Sequence, residues 1–74
     1  MTENDFLDCV AELVEAAPEK ISMSCVITEI ENFDSITFIG LISFADTQGI
    51  TVSPDDFFNV TTLEDVFKKI NQRR

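Results

Sequence analysis

The chain has 74 residues, 14 of them acidic and 5 basic, for a formal net charge of −9 with no histidine. Residues 1–67 carry every acid against the single base Lys20, so that stretch alone stands at −13; Lys68, Lys69, Arg73 and Arg74 follow. So acidic a surface repels phosphate backbones and excludes nucleic acid as the expected partner, while it attracts basic patches on other proteins. With 45% hydrophobic residues and seven Phe, the chain is too apolar for a disordered acidic tail, yet long enough for one small core only. The expectation is one domain over residues 1–74.

The first helix is expected from about Glu3 to Ala17. Thr2 caps it with Asp5 three residues on, and Phe6, Val10, Leu13, Val14 and Ala17 fall on one stripe. Pro18 closes it by disfavouring helical geometry in the residue before. Residues 18–34 have neither helical nor strand period and read as a long connection anchored by Ile21, Val26, Ile30 and Phe33. A short strand at Cys25–Thr28 is the alternative, without an obvious partner.

The second helix is expected from Asp34 or Ser35 to near Gln48, with Asp34 as cap and Gly49 just past the end. Ile36, Ile39, Ile42 and Ala45 or Phe44 give it a broad apolar face. Gly40 inside it costs about 1 kcal/mol relative to Ala and suggests close packing or an approaching partner. Pro54 suits the first turn of a short third helix over Asp55 to Asn59, with Phe57 and Phe58 on its apolar side. The last helix follows Thr61-Thr62, with Asp65 placed to complete the cap. Its inner stripe is Leu63, Val66, Phe67 and Ile70, and its cations Lys68, Lys69, Arg73 and Arg74 lie at the C-terminal end, where the dipole favours them. The expected fold is all-α: a small antiparallel-type four-helix bundle of three longer helices, a short third one and a long first loop.

Without histidine, Ser–His and Cys–His catalysis are ruled out, and the carboxylates are scattered over helix surfaces. The chain reads as a protein acted upon, not an enzyme. Cys9 and Cys25 are too few for a disulfide framework and read as free thiols in a reducing cytoplasm. Two cysteines without histidine do not complete a zinc set. Glu29, Glu31 and Asp34 are spaced like calcium ligands but lack the loop's glycine and terminal glutamate. The N-terminus has neither the basic start nor the apolar run of a signal peptide, and no apolar run could span a membrane. A cytoplasmic monomer without membrane insertion is expected.

Asp34-Ser35-Ile36, at the start of the second helix, resembles the Asp-Ser-Leu signature of acyl and peptidyl carrier proteins. The resemblance extends over nearly the whole chain: Ile30-Glu31-Asn32-Phe33 leads into the signature, Gly49-Ile50-Thr51-Val52-Ser53-Pro54-Asp55-Asp56 resembles the family's segment after that helix, and Thr61-Thr62-Leu63 its Thr-Thr-Val opening of the last helix. It implies that Ser35 receives 4′-phosphopantetheine from coenzyme A through a phosphopantetheinyl transferase, that Asp34 positions the chain against that enzyme and its metal, and that loading and processing enzymes act on the arm. The backbone N–H groups beside Ser35 would favour the attached phosphodiester. On this resemblance the chain carries acyl intermediates in a fatty-acid, polyketide or lipid pathway. An aminoacyl or peptidyl carrier loaded by an adenylating enzyme is the close alternative, and an unmodified interaction module the distant one. Fatty-acid carriers show several acids along the second helix, whereas this one holds only Asp46 after Ser35. If that helix docks a partner, it offers Ile36, Thr37, Phe38, Gly40 and Ser43, with charge at Asp34 and Asp46. Apolar contact at Ile36 and Phe38 is then expected to matter more than ion pairing; Phe38 inside the bundle is the competing placement.

Overall fold

The computed structural model describes residues 1–72; Arg73 and Arg74, expected on the last helix, lie outside the described residues. Three α-helices, α1 (Glu3–Leu13), α2 (Ser35–Thr47) and α3 (Leu63–Asn71), are joined through 3-10 turns at Pro18–Lys20 and Ile27–Glu29 between the first two and at Pro54–Phe57 between the last two. No strand occurs among the described residues, and the radius of gyration of 10.9 Å is that of a packed chain of this length, about 11 Å.

Thr2 caps α1 by accepting the Asp5 N–H at 3.1 Å. Phe6, Val10, Ala11 and Val14 are buried. The helix ends at Leu13, short of the expected Ala17, because Glu15 turns left-handed at φ 59°. Ala16 N–H then reaches back to Ala11 O at 2.9 Å, closing the last turn in the manner of a Schellman motif. Ala17 is extended at ψ 136°, as a residue before proline should be.

The α2 termini follow the expected chemistry. Asp34 is its cap, and beyond Gln48 the left-handed Gly49 (φ 77°) lets Ile50 N–H bond Ala45 O at 2.9 Å. The buried face, however, is Thr37, Leu41 and Ala45. Ile36 is 71% exposed and Ile39 59%, so they do not belong to the core face expected of them, and Thr37 is not offered to solvent. Thirteen residues with almost no charged position give the hydrophobic pattern no phase, and packing on α1 sets the rotation instead.

Gly40 lies where α1 and α2 meet. A Cβ built there would fall 2.6 Å from Leu13 Cδ2 and 2.9 Å from Cδ1. Leu13 is itself 37% exposed, so its tip can swing outward. Gly40→Ala is therefore expected to change stability by less than about 0.5 kcal/mol, the helix-propensity gain of about 1 kcal/mol being offset by the displaced leucine. In a Leu13→Ala background the same change should stabilise by about 1 kcal/mol. Denaturant titration of the four proteins checks this; a loss above about 2 kcal/mol for Gly40→Ala in both backgrounds would mean that backbone spacing, not Leu13, is limiting.

The third helix expected at Asp55 to Asn59 is the 3-10 turn Pro54–Phe57. Phe58 leaves it extended (φ −68°, ψ 142°) and 68% exposed, whereas Phe57 is buried. Only one of the two phenylalanines therefore serves the core. α3 has the expected cap in full. Asp65 N–H donates to Thr62 Oγ1 at 3.3 Å, and Asp65 Oδ2 accepts from Thr62 N–H at 3.2 Å and Thr61 N–H at 3.0 Å. Those backbone donors hold its carboxyl below the usual carboxylate range.

The long connection is pinned by backbone as well as by apolar anchors. Val26 forms an antiparallel bridge with Thr62. Ile27 N–H donates to Thr61 O at 2.9 Å, Leu63 N–H to Cys25 O at 3.0 Å, and Glu64 N–H to Met23 O at 2.9 Å. The partner missing from the strand reading of Cys25–Thr28 is the start of α3, though the pairing stays a single bridge. Buried residues from all three helices, joined by Ile21, Ile27, Ile50, Val52 and Phe57, form the core cluster.

Candidate functional site

Asp34 adopts extended geometry (φ −140°, ψ −168°) and turns the chain into α2. Its Oδ1 accepts the N–H groups of Ile36 at 3.0 Å and Thr37 at 3.2 Å. In return Asp34 N–H donates to Thr37 Oγ1 at 3.3 Å, which completes a capping box. This corrects one expectation. The N–H groups of Ile36 and Thr37 are not free for a phosphodiester, because the protein's own carboxylate already occupies them.

Ser35 is the first helical residue and is exposed. Among the described residues its hydroxyl has no hydrogen-bond partner, so it is open to reagents from solvent. Beside it runs a groove of about 250 Å³ lined by Ile27, Thr28, Phe33, Asp34, Ser35 and Phe38. Phe38 is half-buried, and its ring meets Phe33 edge-on at 5.1 Å and stacks on Phe57 at 4.9 Å with 24° between planes. Ser35, Asp34 and Phe38 thus share one groove wall. Ile36 points outward from the same turn, and Ile39, one turn further, extends the apolar surface. Asp46 is exposed in the last turn of α2 and lines no part of the groove.

The residues fit a group joined through the Ser35 oxygen. The hydroxyl is exposed and has no hydrogen-bond partner among the described residues, and an apolar trough lies alongside. The same fit places the acid Asp34 next to any phosphodiester formed there, and the N-terminal end of the α2 dipole is a favourable field for it.

Other chemistry is sparse. Among the described residues no group of three or more His, Cys, Asp or Glu could hold a metal ion, and Glu29, Glu31 and Asp34 do not converge. Burial, helped by Glu12, pushes the Cys9 thiol above its ordinary range and makes it less reactive. Cys25 accepts from Ser22 N–H at 3.4 Å and lines a cleft of about 500 Å³ between the end of α1 and the connection. No helix among the described residues is long and apolar enough to cross a membrane.

Sequence reasoning missed Asn32 and misplaced Ile39 and Thr37. The Asp34-x-x-Thr37 spacing was a readable cap signal; nothing in the sequence marks Asn32. Comparison of the chain with family models, curated proteins and solved structures gives no match.

Proposed function

We propose that this protein is a carrier whose Ser35 holds a phosphopantetheine arm, in a domain laid out as a small antiparallel-type four-helix bundle with Pro54–Phe57 as the short third helix. The observation that carries the reading is Ser35 itself: an exposed, unpartnered hydroxyl at the first position of α2, directly after the capping Asp34 and beside an apolar groove. The oxygen that caps α2 belongs to Asp34, which leaves the Ser35 hydroxyl without a capping role. The arm supplies a terminal thiol that carries an acyl group as a thioester. Loading forms a P–O bond from Ser35 Oγ and breaks the pyrophosphate bond of coenzyme A; adenosine 3′,5′-bisphosphate leaves, and the hydroxyl proton passes to a base of the transferase.

Partners then meet a surface of two kinds. The acidic exterior draws basic patches of loading and processing enzymes, while Ile36 and Ile39 offer apolar contact with Asp46 at the far end of α2. The cargo is acyl, of the kind handled in fatty-acid, polyketide or lipid pathways, and the protein works as a cytoplasmic monomer. An aminoacyl cargo uses the same residues and differs only in the loading enzyme.

With coenzyme A and a broad-specificity phosphopantetheinyl transferase, the protein should gain the mass of one phosphopantetheine, mapped to Ser35. Ser35→Ala should fold as before and gain nothing. Modification elsewhere, or none with several transferases, ends the carrier reading and leaves the unmodified interaction module.

A further inference from the structure

We propose that Asn32 and Thr37 are positioning residues that tie the Asp34–Ser35 turn to the end of α1 and thereby fix where the Ser35 hydroxyl stands. The inference rests on the carrier reading for its consequence, though not for its geometry.

Thr37 is the one buried polar side chain among the described residues, 3% exposed. Valine would fill that space without any need for a hydrogen-bond partner, so the hydroxyl needs a reason. It accepts Asp34 N–H at 3.3 Å, and its own proton faces Asn32 O at 3.3 Å, with Asp34 Oδ1 at 3.5 Å. The oxygen therefore joins residues on both sides of the turn. Asn32 in turn is left-handed at φ 68°, a conformation that asparagine tolerates better than most residues. Its Nδ2 donates to Val14 O at 3.3 Å. Val14 is the C-cap of α1, and its carbonyl is among those that a helix end leaves without an intrahelical partner.

These contacts make one chain of hydrogen bonds, from the end of α1 through Asn32 and Thr37 to Asp34. Ser35 stands directly after its last member, and its hydroxyl has no bond of its own to hold it. Its position is set wholly by the backbone turn. The capping box needs only Asp34 and Thr37; the further links to Asn32 and Val14 tie it to the end of α1. A transferase must align the serine oxygen with a phosphorus atom, and small misplacements at a reacting atom cost rate steeply.

The test uses Thr37→Val, which keeps the volume, Thr37→Ser, which restores the hydroxyl, and Asn32→Gly, which keeps the left-handed backbone and removes the tie to Val14. Each is assayed well below its own melting temperature for phosphopantetheine transfer and, without transferase, for amide hydrogen exchange at Ile36 and Thr37. The expected result is about a tenfold fall in kcat for Thr37→Val and Asn32→Gly, as for one lost hydrogen bond. KM should stay within about twofold, Thr37→Ser should recover kcat, and exchange at both amides should quicken about tenfold in Thr37→Val. Unchanged kcat with unchanged exchange, a rise in KM alone, or failure of Thr37→Ser to recover the rate overturns the proposal. If the parent protein is not modified at Ser35, the carrier reading falls by itself, and the exchange data still decide whether Asn32 and Thr37 hold the turn.

Discussion

Phe38→Ala is expected to lower stability by about 3 kcal/mol. Removal of a buried Phe costs roughly 3–5 kcal/mol, and half-burial puts Phe38 at the low end. Each of its two ring contacts, with Phe33 and Phe57, adds on the order of 0.5–1.5 kcal/mol beyond the buried area. For a domain of this size, whose total stability is of order 4–11 kcal/mol, that is a fall in melting temperature of roughly 12–24 °C. The same variant, assayed while still folded, measures what Phe38 offers a loading enzyme. A stable but poorly loaded protein would assign the ring to partner docking, and a destabilised but normally loaded one to the aromatic trio. Normal stability with normal loading would defeat both assignments.

Leu41→Ala is expected to cost about 3–4 kcal/mol, as for a leucine with no exposed surface. Ile39→Ala, on the opposite side of α2, should cost less than about 0.5 kcal/mol because most of that side chain is already in water. Urea unfolding of the pair measures the rotation of α2 directly. Comparable losses, or a larger loss at Ile39, would mean that the helix turns its isoleucine face inward, which would also remove Ile36 and Ile39 from the partner surface.

The contrast between those two residues shows where the sequence was readable. Helix ends were legible because caps are local chemistry: Thr62 with Asp65, Asp34 before Ser35, and Gly49 after Gln48 each satisfy backbone groups within a few residues. The inward face of α3 was legible too, since Leu63, Val66 and Ile70 alternate with Glu64, Lys68 and Lys69. α2 has no such contrast, and its rotation follows from packing against residues distant in the chain, Leu13 over Gly40 among them. The end of α1 was misread for a related reason. Pro18 signalled a stop, but Glu15 in the left-handed region, an unusual place for glutamate, brings it earlier. At the candidate site, Asp34 and Ser35 were visible as a motif, whereas the reach of Asn32 to Val14 required the fold.

The bridge between Val26 and Thr62 has a consequence for how the chain must assemble. It joins the middle of the connection to the doorstep of the last helix, so this tie forms only between segments far apart in the chain. Closing so wide a loop costs chain entropy, although that cost grows only slowly with loop length. Contacts between residues so distant in sequence form more slowly than local helix turns, so this part of the connection is expected to order together with the docking of α3. The Asp34–Ser35 turn does not wait for that docking, since Val14, Asn32 and Thr37, which tie the turn to the end of α1, all precede the last helix in the chain.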